Sequence, residues 1–410
     1  MPRSRMHVLF LAPDTHVYNH HFVQGLKSVG VRVSALGLAP RERTAPELLR
    51  HLDGYASCPR MLEPDALLTA LSQLGQRTFD RVETIDEPLV EPAALLRERL
   101  QLPGLSVATA RLCRDKVAMK AFLRERGVPC AQSTRAATPT DVHAFAEQHG
   151  YPLILKPVAG YGSLQTFRVD DRGQLDRALQ QLPPSAKAPI AVEEFVDGHE
   201  GFFDTITDGG GVRCDFAAHY FPNCLEAARD RTVAPQIAVT NRIDQDGYRE
   251  LRALGRRVVD ALGIRNTATH MEWFFGSKGL KFSEIGARPA GEKIWDMYRF
   301  ANDFDVYREW ALALLDRPAE RAPSRRQAVG SVQIRPDRDG RFVGHDGVDE
   351  AWRRCRPFVY EYELPAVGDA TKPLEKGWLV NTWFRLRHAD YDELRELMTF
   401  LGRTVKSRAR

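Results

Sequence analysis

With 410 residues, 43% of them hydrophobic and 27% charged, the chain has the composition of a globular protein of two or three domains with well-buried cores. A net charge of +4 is too mild for this length to argue for nucleic acid or a membrane surface as a partner. The six cysteines are scattered without CxxC spacing, which excludes a disulfide framework and fits reduced thiols in the cytoplasm.

The opening "MPRSRMHVLFLAP" has too short an apolar part for a signal peptide, and no apolar run reaches membrane-spanning length. "HVLFLAP" reads as a buried strand, "HHFVQGLKSVG" as a helix stopped by Gly30, and "VRVSALG" as a second strand. "PDALLTALSQL" and "RVETI" continue the alternation, so residues 1–110 are expected to form a parallel α/β domain of Rossmann-like type. The first turn, "APDTHVYNHH", lacks GxGxxG and gives dinucleotide binding no support. His16 and His20 have helical metal-ligand spacing but no third ligand, so a surface or satisfied pair is the favoured reading; His20 and His21 could instead line a cleft.

A second region begins near Arg111. "RDKVAMKAFLRERGVPC" has a helical apolar stripe closed by Gly127, and "TPTDVHAFAEQHGYP" reads as a helix capped by Thr140 and stopped by Gly150. "YPLILKPVAGYGSLQTFRV" is a strand ending in Lys156, a glycine-punctuated turn, and a second strand-like run. From Tyr248 a helix carries Leu251, Leu254, Val258 and Leu262 as a core-facing stripe. Asp316–Ala328 is rich in proline and arginine and reads as a linker, followed by a small α+β unit over 329–410. The tail "RTVKSRAR" reads as solvated and frayed.

"HMEWFF" and "LKFSEIG" are strand-like runs joined through "GSKG". A three-residue loop of Ser277, Lys278 and Gly279 would place Gly276 opposite Leu280 and Glu272 opposite Glu284, with Gly279 in the left-handed region. Directly opposed glutamates repel unless a cation lies between them, and an oxygen-rich site suits Mg²⁺ better than zinc. A four-residue loop shifts the register by one and sends the two to opposite faces as ordinary surface charge. Arg288 follows four residues after Glu284, placed to hold a phosphate or carboxylate. With Lys116 and Lys156 it completes the cations and metal site that phosphoryl transfer requires.

These segments, in this order over roughly 112–315, resemble the ATP-grasp superfamily. The resemblance identifies Lys116 and Lys156 with its two ATP lysines, and Gly160, Gly162 and Ser163 with its flexible loop. It assigns Glu193, Glu194 and Val196 to adenine, Glu200 to ribose, Glu272 and Glu284 to Mg²⁺, and Arg288 to catalysis. It also implies the architecture: α/β and α+β, with an N-terminal parallel domain (1–110), an ATP-grasp domain (111–316, divided at 192/193) and the closing α+β unit. Two positions depart from the pattern: Gln165 stands where many relatives have a loop glycine, and Gly286 where many have an asparagine metal ligand.

"EIGARPAG" most resembles the carboxylate–amine ligases that join amino acids, such as L-amino acid ligases and carnosine synthase. The expected function is therefore an ADP-forming C–N ligase using ATP and Mg²⁺, with a small carboxylate and an amine as substrates and a homodimer as one assembly to expect. A carboxylating or purine-pathway type of ATP-grasp enzyme, and a nucleotide-binding protein without turnover, are the alternatives. "AAHYFPNCLEAARDRTVAPQ" is expected to line the acceptor pocket; its Arg229 and Arg231 could bind a substrate carboxylate, with solvation the favoured reading.

Overall fold

Strands buried on both faces need helices on both sides, and the first sheet has that character. In the computed structural model, which describes residues 6–75, 78–160, 165–374 and 380–410, four parallel strands run in the order Gly54–Ser57, Arg32–Gly37, His7–Leu11, Arg81–Glu83. His7–Leu11 is buried throughout, as expected of a central parallel strand. The last strand delivers the chain, at its carboxyl end, into a short turn beginning at Glu87.

A separate four-stranded antiparallel sheet has the order Ser133–Ala136, Ile190–Glu194, Leu153–Pro157, Phe167–Val169. The helix Pro139–His149 packs on this sheet. Its cap is Thr138 rather than the expected Thr140: Pro139 needs no amide partner and suits the first helical position, which leaves capping to the residue before it. Thr138 and Asp141 form a reciprocal capping box. Gly150 ends the helix with a positive φ.

The largest sheet has eight antiparallel strands. Their order is Gly279–Gly286, Thr267–Gly276, His199–Asp208, Gly211–Phe221, Gln236–Val239, Ala328–Ile334, Thr382–His388, Val359–Glu363. The helix Arg249–Ala261 lies against it through the stripe of Leu251, Leu254 and Val258, all buried. The last three strands come from beyond the proline-rich segment, so one sheet runs through both regions. That segment has no helix or strand up to Gln327, but it is tied down: Arg325 pairs with buried Asp215 at 3.1 Å, and Glu309 accepts the amides of Glu320 and Arg321.

The basic tail is not frayed. Lys406–Ala409 is a strand paired with Phe342–Asp346, with Ser407 and Ala409 buried. Alternating small residues in "KSRA" supply an inward face, a pattern too short to separate from a charged tail by sequence. Among the described residues no helix is long and apolar enough to cross a membrane.

Candidate active site

Lys116 opens the helix Lys116–Arg124, whose cap is the Asp115 carboxylate accepting the amides of Val117 and Ala118. Helical spacing puts Lys120 one turn on, on the same face. Both lysines are buried. On the small sheet Ile154 is paired with Glu193, so Lys156, two residues on, shares the face of Glu193. The carboxylate of Glu193 lies between two ammonium groups, Lys120 Nζ at 2.7 Å and Lys156 Nζ at 3.0 Å. Burial opposes the charge of Glu193, but the two lysines outweigh it and hold its carboxyl below the usual range. Glu193 thus anchors two lysines from the cavity lining.

The carboxylate pair sits on the edge hairpin of the large sheet, in a register the loop alone does not produce. Gly276 pairs with Gly279, leaving a two-residue turn of Ser277 and Lys278 instead of the three-residue loop expected. Gly279 has a φ of +74°, in the left-handed region. From this turn Trp273 faces Phe282, and continuing unchanged would have set Glu272 against Ser283. A β-bulge at that point absorbs the extra residue, and Glu272 stands opposite Glu284 after all.

Glu284 lies 3.2 Å from Lys116 Nζ and 3.9 Å from Lys156 Nζ. Burial would raise its pKa, but Lys116, Lys156 and Lys120 outweigh that and bring it to about 2. Glu272, farther from these ammonium groups, is pushed up by burial and by the charge of Glu284. For Lys156 the carboxylates of Glu193 and Glu284 overcome burial and hold its pKa above the ordinary lysine value. Glu200, whose carboxylate accepts the Cys224 amide at 2.6 Å, is pushed up to about 8 by burial and then by Glu272.

These groups line one cavity of about 540 Å³, with Lys116, Lys156, Glu193, Glu200, Glu272 and Glu284 on its polar side. Ile154, Phe195, Leu225, Phe274 and Phe282 supply apolar walls suited to a flat ring, and Glu194 and Val196 also lie on the lining. Gly160 is also on the lining, its carbonyl accepting a hydrogen bond from Lys116 Nζ at 2.7 Å. Gly162 and Ser163 lie outside the described residues. Of the two arginines expected to be solvated, Arg229 is on the cavity wall, while Arg231 pairs with Asp339 at 2.8 Å.

Arg288 is not part of this lining. Its Nε donates to Glu87 Oε2 at 2.7 Å and its Nη1 to the Pro289 carbonyl at 2.8 Å, although the charge of Glu272 also acts on it. Among the described residues no group of three or more His, Cys, Asp or Glu side chains is arranged to hold a metal by itself. Two opposed carboxylates nevertheless fit Mg²⁺, a hard cation that prefers oxygen donors and would be held by Glu272 and Glu284.

Several partners escaped the sequence reading. Lys120 was legible from its helical spacing to Lys116. His270 lies two residues before Glu272 on the same strand face; its Nδ1 is 2.7 Å from Asp204 Oδ1 and its Nε2 3.9 Å from Glu272. Tyr298 donates to the other oxygen of Asp204 at 2.6 Å. His16 is exposed and stacked on Tyr18, and the rings of His20 and His21 lie 4.0 Å apart; no metal cluster involves them among the described residues.

A nucleotide-sized cavity thus gathers Lys116 from a helix, Lys156 and Glu193 from the four-stranded sheet, and Glu272 and Glu284 from the eight-stranded one. Residues 115–290 match the family described as "Carbamoyl-phosphate synthase L chain, ATP binding domain". An alanine–anticapsin ligase of Bacillus subtilis is 30% identical over 249 residues, 54% of this chain and 50% of that one. An L-arginine-specific L-amino acid ligase of the same species is 25% identical over 223 residues, 53% of each. The chain thus spans about half the length of these curated relatives. The crystal structure of an L-amino acid ligase from Bacillus licheniformis shares the fold over 99% of both chains, with a TM-score of 0.76 and 20% identity. N5-carboxyaminoimidazole ribonucleotide synthetase from Thermotoga maritima shares it with a TM-score of 0.70 and 15% identity, over 99% of this chain and 100% of that one.

Proposed function

We propose that this protein is an ATP- and Mg²⁺-dependent carboxylate–amine ligase that forms an amide or peptide bond and releases ADP and phosphate. The observation that carries the reading is the opposition of Glu272 and Glu284 across the bulged hairpin, with Lys116 and Lys156 within 3.2 and 3.9 Å of Glu284 in the same cavity. Similarity to ligases that join amino acids supports the choice of reaction.

In this reading Lys116 and Lys156 bind the phosphates, and Gly160, Gly162 and Ser163 are assigned to the same phosphates. The apolar walls take adenine beside Glu194 and Val196, and Glu200 takes the ribose. Glu193 acts through Lys120 and Lys156, keeping both ammonium groups in place. Glu272 and Glu284 would hold Mg²⁺, which when bound offsets charge on the transferred phosphoryl group. The substrate carboxylate oxygen attacks the γ-phosphorus, the bond to ADP breaks, and an acyl phosphate forms. The amine nitrogen then attacks the acyl carbon, phosphate leaves, and the nitrogen loses a proton. Arg288 stabilises the phosphoryl group and the tetrahedral intermediate.

Hydroxylamine tests this directly, because a small strong nucleophile replaces the amine without needing its pocket. With ATP, Mg²⁺ and the correct acid the protein is expected to yield a hydroxamate and ADP. AMP and pyrophosphate would exclude the mechanism in favour of adenylation, and no product with any acid would favour nucleotide binding without turnover.

A further inference from the structure

Glu87 is delivered from the N-terminal domain, at the carboxyl end of the parallel sheet, where open α/β sheets place their functional groups. Its backbone is fixed locally: Pro88 follows it, the Asp86 amide donates to Thr84 Oγ1 at 3.1 Å, and the Leu89 amide donates to the Asp86 carbonyl at 2.9 Å. The carboxylate is nearly out of solvent and serves two arginines, Arg114 Nη1 at 2.9 Å through one oxygen and Arg288 Nε at 2.7 Å through the other. Arg288 is itself largely buried.

The space Glu87 occupies is made by a glycine. A Cβ built on Gly286 would lie 2.9 Å from Glu87 Oε2, closer than real Cβ atoms come. Gly286 does not have a positive φ, so backbone freedom is not what requires glycine there. The requirement is room for a carboxylate arriving from another domain. Together the Glu87 and Pro289 bonds use Nε and Nη1 of Arg288. They leave Nη2 without a hydrogen-bond partner among the described residues.

We propose that Glu87 is a positioning residue for Arg288, locking the guanidinium through Nε so that Nη2 is presented to the phosphoryl group, in a space that Gly286 keeps clear. This rests on the ligase reading for the role of Arg288, and the test separates the two. Inorganic phosphate titrated calorimetrically into the MgADP-loaded protein probes Arg288 without an acid substrate. Glu87→Gln is expected to weaken phosphate binding by about tenfold, the lower range for a charge-assisted contact, and to leave ADP affinity within about twofold.

Because Glu87→Gln also leaves two buried arginines short of a charge and is open to misfolding, Gly286→Ala carries the test independently. It keeps every charge, yet must displace the carboxylate, and is expected to act in the same direction. In an Arg288→Lys background, where Nε is gone, Glu87→Gln should add less than about twofold, since residues acting through one another are not additive. Wild-type phosphate affinity in Glu87→Gln and Gly286→Ala, an equal loss in the Arg288→Lys background, or no phosphate binding by the wild type would each overturn the proposal. Phosphate binding that depends on Glu87, without hydroxamate from any acid, would sink the ligase reading and leave the positioning role standing. Hydroxamate formation with unchanged kcat and phosphate affinity in Glu87→Gln would do the reverse.

Discussion

Glu200→Gln makes a sharp probe of the cavity because the wild-type carboxyl is out of solvent and close to another acid. Burial, followed by the charge of Glu272, takes the Glu200 carboxyl from an ordinary value of 4.5 to about 8. Below pH 4.5 it is protonated in both folded and unfolded chains and makes no pH-dependent difference. As the pH rises from 4.5 to 8, the unfolded chain loses this proton while the folded protein keeps it, so stability falls across that window. Above 8 both have ionised and the deficit is constant. At about 1.4 kcal/mol for each tenfold in proton affinity, the ceiling of that deficit is roughly 5 kcal/mol. Part of it is shared with Glu272, which titrates in the same field, so a measured gap of about 2–4 kcal/mol is expected.

A glutamine is nearly isosteric with the neutral acid, and its carbonyl can still accept the Cys224 amide. Denaturant unfolding of wild type and Glu200→Gln at several pH values should therefore give similar stabilities near pH 5. The variant should become progressively more stable than wild type toward pH 9. Parallel curves over pH 5–9 would refute the assignment of Glu200 as a desolvated acid.

Other perturbations reach the rest of the site. Lys116→Ala and Lys156→Ala should each weaken ATP and ADP binding by about 1.5–3 kcal/mol, the range for hydrogen bonds to charged groups, and unchanged calorimetric affinities would count against their phosphate role. Glu284→Gln should fold with near-native circular dichroism yet lose Mg²⁺-dependent ADP release; retained turnover would remove it from the metal site. Arg288→Ala should abolish hydroxamate while ADP still binds, and a parallel loss of nucleotide affinity would place the guanidinium on ATP instead. In Gly25→Ala, the added Cβ would meet the Tyr307 carbonyl oxygen at 2.5 Å, so the helix His20–Ser28 must shift from Val306–Leu314 at a cost of about 1–3 kcal/mol, read as a lowered Tm.

Elements with a local cause were legible from the sequence. The parallel sheet followed from alternating buried strands and helices, and the stripe of the helix Arg249–Ala261 from its spacing. The opposition of Glu272 and Glu284 was inferred from a loop that does not exist. The turn is shorter by one residue and the bulge restores the register, two departures that cancel. Neither Ser283 nor its neighbours carry a signal that marks a bulge, because a bulge is decided by packing on both faces of the hairpin. Glu87 was out of reach for a different reason. It meets Arg288 across 201 residues, and such a pairing exists only once two domains have docked. Thr138 was legible in principle, since Pro139 marks the first helical position, and Thr140 drew the assignment only by standing closer to the apolar run.

The division of the site between two sheets has a mechanical consequence. Lys156 and Glu193 ride on the four-stranded sheet, whereas Glu272 and Glu284 belong to the eight-stranded one, and among the described residues no strand is common to both. A rigid rotation of the smaller sheet would change the distance from Lys156 to Glu284 while leaving the Lys156–Glu193 pair and the two opposed carboxylates unchanged. The backbone bond from Phe282 N to the Pro129 carbonyl, 2.8 Å long and beside the cavity wall, joins the hairpin to the chain just before the smaller sheet begins. It lies where an axle for that rotation would run, so Lys156 and Glu193 would move as one jaw against Glu272 and Glu284 as the anvil.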